Sequence, residues 1–275
     1  MSLIEFIKLC LLGIVQGVTE PLPISSSAHM LLLTNILNIN NSSISLEILL
    51  NFASTIAIFC FFSKKIFILV KASITNKENK NYPYLNRSFL LKILIASIPI
   101  TITGFLFKDF VNKYLLSTIT ISISLLATSL MLYIIYLMLS KKKIFTEEIT
   151  IIDSLVIGLY QSLAIIPGVS RSGSVLFGGI KQNTKLKVTM DFSFFLYLIA
   201  SIGSLTLSII DSDFTNLINS FNISSLIIVF LLTFVISYIS IILFYKIINK
   251  RTILVFSFYA FTLGIIFLIL NIFKH

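Results

Sequence analysis

Six stretches of this chain are apolar for about twenty residues, at about 44–63, 88–108, 117–139, 189–210, 223–246 and 252–272. The hydrocarbon layer of a bilayer is about 30 Å thick, and a helix needs about 20 residues to cross it. Backbone amides have no water to pair with there, so a run of this length predicts a helix that satisfies its own backbone. The chain therefore reads as an all-α polytopic membrane protein with six transmembrane helices. Composition agrees. Of 275 residues, 57% are hydrophobic and 12% are charged, with a mean hydropathy of +1.02. A soluble domain carries about 25% charged residues. The net charge of +10 is compatible with nucleic acid in principle, but the lysines cluster in short segments between apolar runs. That is a positive-inside pattern, not a binding stripe, and no nucleic-acid partner is expected. Cys10 and Cys60 each lie inside an apolar run and imply no disulfide framework. The N-terminal segment is read as mature sequence, because Glu5 precedes Lys8 and no small-residue cleavage site follows.

Two further apolar regions, about 3–37 and 151–180, are interrupted near their middles. Pro21 and Pro23 break the first; Pro167, Gly168 and Gly173 break the second. Proline removes a helical hydrogen bond and disfavours helix at the residue before it. Freed backbone groups at membrane depth need burial in protein or a watery cavity. Each region is expected to be a re-entrant hairpin of two half-helices. The two breaks also resemble each other. Gly13 and Gln16 recur as Gly158 and Gln161, and Ser25 and Ser27 as Ser170 and Ser172, all 145 positions on; Pro23 recurs as Pro167, 144 on.

Loop charges thread this arrangement. Segment 64–87 carries six bases against Glu78; 140–150 carries Lys141, Lys142 and Lys143; 181–187 carries three lysines; Lys246, Lys250 and Arg251 mark another turn. Segment 211–222 has Asp211 and Asp213 and no base. With the basic segments in the cytoplasm, each half is a hairpin plus three spans. Three is odd, so the second half is expected to lie inverted relative to the first. The expectation is one domain over 1–275, built from internal repeats at about 1–140 and 146–275, with the two hairpins meeting near the midplane. Two unrelated proline kinks in an eight-span bundle are the bland alternative.

Isolated charges in apolar segments are functional-site candidates by default. Glu20 is such a charge in the first break and Arg171 in the second. A carboxylate can accept a proton or hold a metal. Ser25, Ser26 and Ser27 supply hydroxyls for helix capping or nucleophilic attack. His29 stands three residues after Ser26, a spacing that puts both on one helical face, where a base could activate a hydroxyl. Arg171, between Ser170 and Ser172, offers a planar fork to phosphate oxygens. A helix start there would add N–H donors. Hydroxyl, base, carboxylate and arginine together point to phosphoryl transfer. The structural alternative keeps the serines as caps and Arg171–Glu20 as an interior ion pair.

At these residues the chain resembles the bacterial undecaprenyl-pyrophosphate phosphatase family of the bacitracin-resistance type. The first family motif stands here as Gln16-x-x-x-Glu20 followed by Pro23-Ile24-Ser25-Ser26-Ser27-Ala28-His29, and the second as Pro167-Gly168-Val169-Ser170-Arg171-Ser172-Gly173-Ser174-Val175. The resemblance implies hydrolysis of a C55 polyprenyl diphosphate to the monophosphate carrier used in peptidoglycan synthesis, and bacitracin resistance. It implies a bacterial inner-membrane protein with its site opening to the extracytoplasmic side. Glu20, Ser26, His29 and Arg171 carry over as catalytic residues. Gln16, Ser25, Ser27, Ser170, Ser172, Gly173 and Ser174 carry over as substrate-binding. A divalent cation, Mg or Ca, would sit on Glu20. Two departures bear on this. Gln16 stands where the motif admits a second carboxylate, and Val175 stands where it ends in Thr. The competing reading is a secondary transporter or polyprenyl-phosphate flippase, which inverted repeats also serve. A homodimer is left open.

Overall fold

A computed structural model describes residues 2–39, 43–77, 79–141, 144–210 and 222–273. Expectations that rest on Glu78, Lys142, Lys143, Asp211 and Asp213 fall outside these residues. The described chain is helical, with isolated bridges at Asn79–Tyr82 and Thr146–Thr184 in place of any strand. Ten α-helices follow in order among the described residues: α1 (Leu3–Thr19), α2 (Ser26–Leu37), α3 (Ser43–Thr75), α4 (Arg87–Phe110), α5 (Thr118–Lys141), α6 (Ile151–Ser162), α7 (Arg171–Lys181), α8 (Leu186–Ile210), α9 (Ile223–Ile247) and α10 (Lys250–Phe273).

Six of them, α3, α4, α5, α8, α9 and α10, are long and apolar enough to cross a membrane, in the places expected. Two boundaries moved. The first span runs on to Thr75, so Lys64, Lys65 and Lys71 lie on helix α3 and not in a loop. The segment after Phe110 continues as a π-helical turn, Val111–Leu115, which carries the helix beyond its expected end. The other four helices are short and pair across the breaks, α1 with α2 and α6 with α7.

Burial ranks the spans. In α8, 67% of the most apolar window is buried inside the protein, against 22% in α10 and 28% in α9. So α8 is the central helix, and α9 and α10 turn most of their apolar surface outward. Such a surface suits lipid, which is as apolar as the side chains it meets. Around α8, Phe192 and Leu196 pack with Phe89, Ile157 and Val175, while Met190 and Phe194 pack with Phe62, Leu176 and Phe244. Small hydroxyl residues sit where helices touch. Ser257 of α10 donates to the Ser129 carbonyl of α5 at 2.8 Å, and Ser237 of α9 bonds Ser54 of α3 at 2.8 Å.

A buried polar knot ties the same elements at one end of the bundle. Lys65 on α3 reaches both carboxylate oxygens of Asp191 on α8 at 2.7 and 2.6 Å. Asp191 is fully buried, and it also accepts from Tyr245 of α9 and from Tyr84 at 2.5 Å. Burial and the neighbouring Asp191 carboxylate push the Tyr84 phenol well up, so it stays a donor. The Lys65 ammonium lies 4.6 Å from the Tyr245 ring centre, adding cation–π contact. The carboxylate's lone pairs are thus met by three donors, the condition under which a buried charge is tolerated.

Candidate active site

Helix α1 ends at Thr19 and leaves Glu20 as its C-cap, with the Glu20 N–H still bonded to the Gln16 carbonyl at 2.9 Å. Pro21 and Pro23 then stop the helix. The chain restarts at α2 through Ser25, whose φ of 66° lies in the left-handed region that side chains other than glycine seldom adopt. The Ser25 hydroxyl caps α2 by accepting from the Ala28 N–H, and bonds the Ser27 hydroxyl at 3.2 Å. The second break is built alike. Ser170 caps α7 by accepting from the Gly173 N–H at 3.1 Å, and bonds Ser172 at 3.3 Å. The serine pairs that recur in sequence therefore make the same bond twice. Gly168 supports the turn with φ of 96°; a Cβ there would lie 2.7 Å from Ser124. Thr128 of α5 clamps it, donating to the Gly168 carbonyl and accepting from the Ser170 N–H.

The two breaks face each other. Ser172 donates to the Leu22 carbonyl at 3.2 Å, and both helix starts open on one cavity of about 70 Å³. Its wall includes Glu20, Ser25, Ser26, Ser27, Ser170, Arg171 and Ser172. Ser26 donates its hydroxyl to the Glu20 carboxylate. Gln16, buried beside it, donates its amide to the same Glu20 oxygen at 2.9 Å. The Arg171 guanidinium lies 4.9 Å from the centre of the Tyr197 ring and reaches the Ser201 hydroxyl at 3.5 Å. Arg171 and Glu20 share the cavity without an ion pair between them, and Arg171 pairs with no carboxylate among the described residues. A cationic fork and the positive ends of two helices converging on one space favour an anion.

Several expected residues lie elsewhere. His29 does not line this cavity. Its Nδ1 meets the Ser25 carbonyl at 2.7 Å and its Nε2 the Tyr259 hydroxyl at 2.8 Å, with the two rings stacked. Ser26 starts α2, and its hydroxyl turns toward Glu20, so the three-residue spacing does not join it to His29. Ser174 is fully buried and bonds back to the Ser170 carbonyl at 2.9 Å, away from the cavity. Gly173 packs under the Ser170 cap.

A family model described as bacitracin resistance protein BacA matches residues 9–266. This chain belongs to the BacA family. Among its relatives, the undecaprenyl-diphosphatase of Acholeplasma laidlawii is 37% identical over 98% of this chain and 99% of its own. Undecaprenyl-diphosphatase 1 of Bacillus cereus is 34% identical over 96% and 97%, and undecaprenyl-diphosphatase 1 of Halalkalibacterium halodurans 34% over 95% of each. The family matches the one its motifs resemble, and the transporter reading draws no support from these names.

The cavity also holds residues that the motifs do not contain: Glu47 and Asn51 of α3, and Ser193 and Tyr197 of α8. Glu47 had a signal. It is a carboxylate within an apolar run, as Glu20 is, but it stands near the start of a span, where charges are common. Tyr197 had none, since an aromatic in a transmembrane helix reads as core.

Proposed function

We propose that this protein hydrolyses undecaprenyl diphosphate to undecaprenyl phosphate and inorganic phosphate, the activity carried in its relatives' names. Such an enzyme recycles the lipid carrier for peptidoglycan synthesis, and the family description points to bacitracin resistance. The observation that carries the reading is the Ser26–Glu20 bond opposite Arg171 on one cavity wall. Arg171 and the starts of α2 and α7 hold the diphosphate. Glu20 takes the Ser26 proton as Ser26 Oγ attacks the terminal phosphorus. The bond from that phosphorus to the bridging oxygen breaks, and undecaprenyl phosphate leaves. Water then cleaves the phosphoserine, Glu20 returns its proton to Ser26, and phosphate is released. His29 acts through the Ser25 carbonyl, holding the strained turn that aims Ser26.

The donor set suits a hard divalent cation. Glu20, Glu47 and Asn51 line the same cavity and would offer two carboxylates and an amide oxygen, the ligands Mg or Ca takes. Gln16 spends its amide on Glu20, and Glu47, on the same cavity wall, would supply the second carboxylate that the motif lacks. Bound there, the ion would neutralise charge on the diphosphate. Phosphate release by purified protein in detergent tests the whole reading. Ser26→Ala and Glu20→Gln should each lower turnover by about 10³-fold, and the double variant little further, because they act as a unit. Chelator should abolish activity and added Mg or Ca restore it. Near-native turnover in Ser26→Ala would sink the assignment.

The fold reading goes further than six spans. Helices α1, α2, α6 and α7 have 17, 12, 12 and 11 residues. At about 1.5 Å per residue none matches a 30 Å core, which supports two re-entrant hairpins. Exchange of halves supports an inverted repeat. It maps the α1–α9 packing onto α6–α4 and the α3–α9 packing onto α8–α4, and α5 packs on its own counterpart α10. In this reading the protein is one domain of two inverted halves in the bacterial inner membrane. Basic helix ends face the cytoplasm, and the cavity opens to the extracytoplasmic side.

A further inference from the structure

The half-buried Arg171 guanidinium packs against an aromatic ring and pairs with no carboxylate among the described residues. Its Cζ lies 4.9 Å from the Tyr197 ring centre, and Ser201, one turn along α8, meets it at 3.5 Å. The ring itself is fixed. Tyr197 is 6% exposed, and its hydroxyl donates to Asn51 Oδ1 at 2.7 Å and lies 3.0 Å from the Thr55 hydroxyl, both on α3. We propose that Tyr197 is a positioning residue for Arg171: its ring face holds the guanidinium at the cavity wall, and its hydroxyl, tied to α3, fixes the ring. The physical reason lies in charge. A carboxylate there would neutralise Arg171 and compete with the diphosphate. A ring face attracts the cation without offering oxygen acceptors, so the donors stay free for phosphate. The inference rests on the reading of Arg171 as the diphosphate ligand.

Replacing Tyr197 by phenylalanine and then by mono-, di- and trifluorophenylalanine drains the ring face of negative potential with little change in shape. Methylenediphosphonate, a diphosphate that cannot be hydrolysed, serves as the probe, bound to full-length protein in detergent with Mg present and measured by calorimetry. From phenylalanine onward, affinity should fall stepwise with fluorination, by about tenfold across the series, while the ligand-free unfolding temperature stays constant. A flat series overturns the inference. So does a loss complete at phenylalanine and flat thereafter, which would assign the effect to the hydroxyl, or a loss that tracks unfolding temperature. Arg171→Ala separates the two levels. If it binds the probe as tightly as native protein, the diphosphate-site reading falls, and this inference with it. If it binds poorly while the fluorinated series is flat, only this inference falls.

Discussion

Arg171 keeps its charge uncompensated because no carboxylate pairs with it among the described residues; Ser201 is the hydroxyl it meets. Arg171→Lys retains the charge but loses the fork, so kcat should drop on the order of 10²-fold in the phosphate-release assay. His29 makes a different forecast. If its work is to hold the Ser25 carbonyl, His29→Asn, which keeps a donor near Nδ1, should retain several times the turnover of His29→Ala. Equal loss in the two would return His29 to proton transfer. The site was legible where chemistry and spacing spoke together. Glu20 and Arg171 stand out because a charge in an oily segment has few bland explanations, and the serine pairs because they recur at one spacing. What sequence could not carry was direction. Three residues of spacing fit Ser26 and His29 to one face only if both belong to regular helix. Ser26 is the first residue after a left-handed turn, and its hydroxyl swings toward the preceding break.

At the scale of elements, the recurring glycines have a shared task. A Cβ on Gly158 of α6 would lie 2.4 Å from the Ala96 carbonyl of α4, and one on Gly13 of α1 would lie 2.6 Å from the Thr233 hydroxyl of α9. Each glycine lets a half-helix touch a full span. Gly158→Ala meets rigid backbone and should cost about 1–3 kcal/mol, read as a lower unfolding temperature in detergent. Gly13→Ala meets a side chain that can rotate, and should cost less. Length and hydropathy made the six spans legible, since a bilayer demands both. The ends were less so. Lysines at 64, 65 and 71 read as loop, because a charge normally closes a span, yet α3 continues to Thr75. On that stretch Lys65 meets Asp191, a partner 126 residues away that no local pattern reveals.

For the whole molecule, opposed hairpins are the sharpest expectation. In a background with Cys10 and Cys60 replaced, a cysteine at Asn35 should react with impermeant reagent from outside the cell and one at Lys185 only after permeabilisation. Both residues are exposed at the far ends of their helix pairs. Reaction of both from one side would exclude the inverted arrangement.

The Lys65–Asp191 knot joins α3, α8 and α9 to the segment bearing Tyr84. Removing one partner strands the other charge, at about 3–5 kcal/mol, whereas replacing both with apolar residues costs far less. Lys65→Met or Asp191→Leu alone should therefore abolish folded yield, and the double variant should recover much of it. Over generations this makes the pair a valley in sequence space. A lineage can keep both residues or lose both, but each single step between those states passes through a protein that barely folds. Drift in the surrounding lipid-facing surface can proceed one residue at a time, while these two positions must change their histories together.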